Sequence, residues 1–200
     1  MPSRDDYRAH CDAYVAAVRD LCTTPQIRAA LETGRGRPVN DCQRLHPFLS
    51  RLTRNQPDRR AHYTLACLIA HERPSRHPTT PAPDPGQPCA WHARPTLGAT
   101  LARAAHGRTD GPHERTLQVL IRLSEDMIHR RLPGMTRHLL GTGCPPDFAV
   151  LLSDLTYWTS NRPSVATRWQ DDFYLSTPPP PPPPPPAPAP RATPHETSSP

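Results

Sequence analysis

Lysine is absent from this sequence, so all 24 of its basic residues are arginine. Arginine carries a planar fork of donors that matches phosphate oxygens, and its charge is weakly hydrated. The formal net charge of +6 therefore favours an acidic partner such as nucleic acid. An excess of arginine codons in a GC-rich genome also explains the missing lysine, and it leaves the chemistry of the side chains unchanged.

Membrane and secretory signals are absent as well. Residues 1–6 are polar, and no apolar run approaches the roughly 18 residues that a membrane-spanning helix needs. The six cysteines form no C-x-x-C pair. We therefore expect a cytoplasmic protein without membrane contact, whose reduced cysteines pack as small core residues.

The third absence is that of catalytic motifs. The chain has no G-x-S-x-G elbow, no G-x-x-x-x-G-K-[ST] phosphate loop and no paired-carboxylate motif. Two pairs, Cys67 with His71 and Cys89 with His92, could together supply four zinc ligands. Cys67 lies in an apolar helical stretch, however, which favours a core thiol. We predict a protein that is not an enzyme, with no catalytic residue, no metal site and no cofactor.

Helical periodicity is what the sequence does contain. Apolar residues recur at helical spacing through most of the chain, and no segment shows a convincing strand alternation. We therefore predict an all-α fold. The first predicted helix follows a capping box, Ser3-x-x-Asp6, and carries apolar residues from Tyr7 to Cys22; the second has Pro25 at its first position and ends near Glu32. The other predicted helices cover residues 41–52, 58–71, 96–105, 114–132, 133–141, 145–158 and 163–173.

Proline divides this helical chain into parts. Residues 73–95 contain seven prolines and no periodicity, which predicts a loop. This proline-rich loop would join two small helical-bundle lobes, an N-terminal lobe of residues 1–95 and a C-terminal lobe of residues 96–176. Nine consecutive prolines at 178–186 predict a disordered polyproline tail over residues 177–200. We favour a spacer over a ligand for a proline-binding domain.

Two groups of arginines could bind phosphate. A projection of the 114–132 helix at about 100° per residue places Arg115, Arg122 and Arg130 opposite its apolar face. That row either contacts successive phosphates or is a solvated face on which Arg122 pairs with Asp126. The second group, Arg28, Arg35 and Arg37, surrounds a glycine-containing turn whose backbone amides are accessible to an anion. An ordinary exposed turn is the alternative there.

Several short segments follow one another in the order of a known family, over residues 14–175. They are Gln26-Ile27-Arg28, Gly34-Arg35-Gly36-Arg37-Pro38, Leu120-Ile121-Arg122, Arg137-His138-Leu139-Leu140 and Arg168-Trp169-x-x-Asp172-Phe173-Tyr174. With them the chain resembles the CasB family, the small subunit of the type I-E CRISPR surveillance complex Cascade. One position departs from the family pattern. Relatives often carry a second basic residue after the Glu-Arg pair, whereas here Thr116 follows Glu114-Arg115.

The resemblance implies a non-catalytic nucleic-acid-binding subunit of a ribonucleoprotein in antiviral defence. Its expected partners are the CRISPR guide RNA, the target and displaced DNA strands of the R-loop, the backbone and large subunits of Cascade, and a second copy of the chain. The expected binding residues are Arg28, Arg35, Arg37, Arg115, Arg122, Arg130 and Arg137. A helical adaptor for protein partners and a helix-turn-helix DNA-binding regulator are the alternatives.

Overall fold

The all-α prediction is confirmed by a computed structural model, which describes residues 3–56, 58–72, 90–106, 108 and 111–177. These residues form α-helices and short 3₁₀ turns, without a strand among them. The helices are α1 Arg4–Leu21, α2 Pro25–Glu32, α3 His46–Leu49, α4 Arg59–Ala70, α5 Leu97–Ala104, α6 Pro112–Leu120, α7 Glu125–Gly141 and α8 Phe148–Leu175. The 3₁₀ turns are Val39–Asp41, Gln43–Leu45 and Trp91–Ala93.

Local sequence signals explain where the first helices begin. Ser3 caps α1 in a reciprocal capping box with Asp6, so two of the free amides at the helix end are satisfied. Pro25 occupies the first position of α2, where its missing N–H costs nothing. Asp58 caps α4 by accepting a hydrogen bond from the backbone of Ala61.

One hydrophobic core contains residues from both sides of the proline-rich segment. Helix α8 packs against α1 and α4 as well as against α5. At its centre the indoles of Trp158 and Trp169 lie 5.1 Å apart, and both side chains are buried. The Trp169 indole donates a hydrogen bond to the buried carboxylate of Asp154 at 2.6 Å. The division into lobes stays a prediction.

A close approach fixes α5 on α8. A β-carbon added to Gly98 would overlap the carbonyl oxygen of Trp169 and lie 2.9 Å from its Cα atom. Only glycine permits this backbone contact, and it brings α5 against the aromatic part of the core. Helix α8 is itself kinked at Asn161, whose φ of −146° and ψ of 40° are not helical.

The predicted helix over residues 114–132 is wrong. The structure divides it into α6 and α7, with a break at residues 121–124 and Ser124 at the N-cap position of α7. The carbonyl of Leu123 in the break accepts hydrogen bonds from the Trp158 indole and from Arg162, so tertiary contacts stabilise it. Pro133, predicted to begin a separate helix, lies inside α7.

Two further predictions concern the proline-containing segments. Residues 73–89 and 178–200 lie outside the described residues, and with them most of the predicted loop and tail. Thr177, assigned to the tail, is buried and donates its hydroxyl to the carbonyl of Phe173 at the end of α8. The weak helix predicted over 41–52 is reduced to short 3₁₀ turns and α3.

Candidate nucleic-acid interface

The glycine-containing turn, predicted as one of the phosphate-binding groups, adopts an unusual backbone conformation. Arg35 and Gly36 both have left-handed conformations, with φ of 46° and 68°. Such a conformation is ordinary for glycine but uncommon for arginine. Residues 34–37, which we call the arginine turn, project the side chains of Arg35 and Arg37 into solvent. The turn closes with a hydrogen bond from the Arg37 amide to the Gly34 carbonyl at 3.0 Å.

The arginine turn is seated directly on α7. A β-carbon added to Gly36 would overlap the carbonyl oxygen of His129 and lie 3.1 Å from the backbone nitrogen of Arg130. Pro133 explains why this carbonyl is available, since proline has no N–H and cannot make the usual helical bond to residue 129. The proline therefore exposes a backbone position that the glycine of the turn covers.

Helices α4 and α7 lie side by side and run in the same direction. At one end Arg60 of α4 donates to the carboxylate of Asp126 at 2.6 Å. Eleven residues further on, the guanidinium of Arg137 lies 3.5 Å from the ring nitrogen of His71. The sequence separation is 66 residues in both pairs, which indicates a parallel register along the whole of α4.

Arg60 links all three elements. Its guanidinium donates to Asp126 and also to the carbonyl of Gly36, at 3.3 Å. The second carboxylate oxygen of Asp126 accepts from Arg130 at 2.9 Å. The hydrogen bond from Arg60 holds the pKa of Asp126 below its ordinary value, so this carboxyl stays ionised beside the turn. Arg60 was not among the predicted site residues.

This geometry brings four of the seven predicted arginines onto one surface. Exposed side chains of the turn and of the outer face of α7 contribute to it, and we call it the basic surface: Arg35, Arg37, Arg130 and Arg137. Burial lowers the pKa of His71, the charge of Arg137 lowers it further, the carboxylate of Glu32 opposes this, and Arg35 adds a smaller lowering effect. Gly134, on the exposed side of α7 between Arg130 and Arg137, leaves open space there.

The other three predicted arginines lie elsewhere. Arg28 is half-buried in α2 beside Cys22, where burial raises the pKa of the thiol and the guanidinium opposes that rise. Arg115 is exposed on α6, and Arg122 is exposed in the break before α7. Because the helix is interrupted, Arg115, Arg122 and Arg130 do not form a row on one helix. Nor does Asp126 pair with Arg122, since Arg60 and Arg130 occupy its oxygens.

The basic surface favours contacts with phosphate over contacts with bases. Two exposed aromatic side chains of the described residues, Tyr157 and Tyr174, belong to α8 and not to this surface. Guanidiniums without an aromatic neighbour offer charge and forked hydrogen bonds but no platform for stacking.

The zinc hypothesis receives no support from the described residues. Cys67 is buried, and its sulfur accepts a hydrogen bond from the backbone of Arg35. Among the residues that the structure describes, no three metal-ligating side chains come together. Cys89, one of the proposed ligands, lies outside them.

Comparison with known proteins agrees with this architecture. Residues 27–174 match the family model described as CRISPR-associated protein Cse2. The chain belongs to the Cse2 family. The resemblance to CasB that the sequence motifs carry is thereby confirmed. No curated protein sequence matches the chain.

The chain is also similar to chains of solved structures. One chain from a "CRISPR RNA-guided surveillance complex" is 27% identical, with a TM-score of 0.67, and the match covers 85% of this chain and 94% of that one. A second, from a "CRISPR RNA-guided surveillance complex, pre-nicking", is 26% identical, with a TM-score of 0.68 and coverage of 84% and 94%. Within the described ranges, every helix falls short of what a membrane crossing requires.

Proposed function

We propose that this Cse2-family chain is the non-catalytic small subunit of a type I-E Cascade, which it joins in the cytoplasm. Membership of the family and the similarity to chains of RNA-guided surveillance complexes support this assignment. The partners we propose are the guide RNA, the target and displaced DNA strands, the backbone and large subunits, and a second copy of the chain.

Within such a complex, the basic surface would bind nucleic-acid backbones without regard to sequence. The observation that carries this proposal is that a turn and a helix distant in sequence place four exposed arginines together. Sequence recognition in CRISPR effectors is delegated to base pairing with the guide, so a subunit needs only phosphate contacts. R-loop formation is a nearly balanced exchange of duplexes, which a few such contacts can shift.

The test is R-loop formation by the reconstituted complex carrying Arg35→Gln and Arg137→Gln. The matched control replaces two exposed arginines of other elements, Arg54→Gln and Arg103→Gln, and so removes the same charge. We expect weaker target binding for the first variant only, equally on unrelated targets. Its salt dependence, log K against log salt, should be less steep by about 0.7 for each single-strand phosphate that the variant no longer neutralises.

Two results would contradict the proposal. If both variants bind targets like the parent complex and with the same salt dependence, the basic surface does not contact nucleic acid. If the first variant fails to assemble while its isolated chain remains folded, the arginines serve a protein contact, as the adaptor hypothesis requires.

A further inference from the structure

The buried thiols of Cys67 and Cys42 contact the backbone of the arginine turn. The sulfur of Cys67, in α4, accepts the backbone N–H of Arg35 at 3.1 Å. The same sulfur lies 3.7 Å from the carbonyl oxygen of Glu32 at the end of α2, to which its S–H donates. Cys42 makes a longer contact of 3.9 Å with the carbonyl of Arg37. The turn is therefore contacted by sulfur near its beginning and at its end.

The Arg35 amide has a side chain as its acceptor. Among the described residues its N–H makes no turn or loop hydrogen bond to a backbone carbonyl, and the sulfur of Cys67 in α4 accepts it instead. An amide held away from water without an acceptor is costly, so an acceptor at this position stabilises the turn. Gly34 lies beside the same cysteine, since a β-carbon there would make an ordinary contact of 3.5 Å with the β-carbon of Cys67.

The chemistry of a thiol suits this position. Cys67 is fully buried, where a small apolar side chain packs well. Burial raises the pKa of its thiol to about 11, so the group is neutral near pH 7 and keeps its proton for the Glu32 carbonyl. One side chain thus accepts from the turn and donates to α2 without placing a charge in the core.

We propose that Cys67 is a positioning residue for nucleic-acid binding, whose sulfur fixes the backbone of Arg35 and so directs Arg35 and Arg37 to the face shared with α7. This inference rests on the proposed function of the basic surface. It assigns a role to a residue that touches no nucleic acid itself and that lies 32 residues away from Arg35 in sequence.

The experiment uses the full-length chain and an unstructured single-stranded DNA oligomer. Cys67→Ala removes the acceptor, and Cys67→Ser retains a group that both accepts and donates. Cys11→Ala is the matched control, because Cys11 is equally buried but lies on α1. Arg35→Gln removes the guanidinium directly. For each variant we would measure amide hydrogen exchange in residues 34–37, the melting temperature and the salt dependence of binding.

We expect Cys67→Ala to accelerate exchange at Arg35 and to lower the salt slope by about 0.7, the value for one phosphate on a single strand. Cys67→Ser should restore both quantities towards those of the parent chain. Cys11→Ala should lower the melting temperature without changing either.

The possible failures are distinguishable. If Arg35→Gln weakens binding but Cys67→Ala leaves binding and exchange unchanged, the positioning role is wrong and the basic surface remains. If Cys67→Ala and Cys11→Ala weaken binding in proportion to their decrease in stability, the thiol is only a core residue. If Arg35→Gln has no effect, the turn does not bind DNA, and the inference fails together with that part of the proposed function.

Discussion

The close packing of the arginine turn against α7 predicts that a single methyl group added at Gly36 lowers the stability of the protein strongly. An alanine there would overlap the carbonyl of His129, and it would also have to adopt a φ of 68°. The left-handed conformation costs a residue with a β-carbon about 1–2 kcal/mol. Lifting the turn to relieve the overlap also removes the hydrogen bond from Arg60 to Gly36, which contributes about 0.5–1.5 kcal/mol.

These contributions sum to a decrease in stability of about 1.5–3.5 kcal/mol for Gly36→Ala. For a chain of this size each kcal/mol shifts the melting temperature by about 2–4 °C, so we expect a decrease of roughly 3–14 °C. Because the overlap occurs where the turn packs against α7, amide exchange should accelerate at residues 34–37 and around Arg130. Single-stranded DNA binding should weaken as the two parts of the basic surface separate.

Gly134 provides the control, because the same change should have the opposite sign there. It is an exposed position inside α7, and a β-carbon would meet nothing within 4 Å. Glycine in a helix interior is about 0.8–1.0 kcal/mol less favourable than alanine. Gly134→Ala should therefore raise the melting temperature by about 2–4 °C.

Thermal unfolding followed by circular dichroism measures both variants under the same conditions. A melting temperature of Gly36→Ala equal to that of the parent chain would show that the turn is not seated on His129. A decrease for Gly134→Ala would show that the outer face of α7 is packed against another part of the chain. Either result refutes the arrangement of the basic surface.

Three further predictions concern the core, the response to pH and the tail. Trp169→Ala should cost about 3–5 kcal/mol, because it removes a buried indole and the donor to Asp154; denaturant unfolding measures this, and near-parental stability contradicts it. Burial lowers the pKa of His62 and His129 to about 4, so below about pH 6.5 the unfolded chain binds protons that the folded chain does not. The free energy of unfolding should then fall by about 1.4 kcal/mol per pH unit for each histidine as the pH is lowered to about 4. A free energy of unfolding that does not change over this pH range would contradict the prediction. Removal of residues 178–200 should leave melting and assembly unchanged, whereas a decrease of several degrees would show that the tail packs on the body.

Most helices could be predicted because their signals are local. The Ser3 capping box and Pro25 predict the starts of α1 and α2, and the structure places both helices there. The break before α7 was missed although a local signal existed. Ser124 followed by Glu125 and Asp126 is a typical helix start, but the apolar periodicity on both sides concealed it. The projection that treated residues 114–132 as one helix was wrong for that reason.

The grouping of arginines could not be predicted, because it depends on how distant elements pack. No local pattern shows that Arg137 lies beside His71, or that α4 and α7 lie in parallel register. Pro133 illustrates the difficulty. Proline usually marks a helix start, yet here it lies inside α7. The carbonyl of His129, which Pro133 leaves without its usual helical hydrogen bond, packs against Gly36.

Charge pairing distinguishes much of the basic surface from several other arginines of this chain, whose net charge is +6. Away from that surface, Arg8, Arg19, Arg94 and Arg168 are each paired with a carboxylate, so those charges are largely neutralised where they lie. Within the described ranges, Arg35, Arg37 and Arg137 form no such pair.

Asp126, a carboxylate beside the surface, does not neutralise it. Asp126 is shared between Arg60 and Arg130, so the three side chains together keep one positive charge. Its geometry also orders both guanidiniums, since each carboxylate oxygen accepts from a different arginine. Asp126 therefore contributes to the basic surface by holding Arg60 against the carbonyl of Gly36 and by ordering the guanidinium of Arg130.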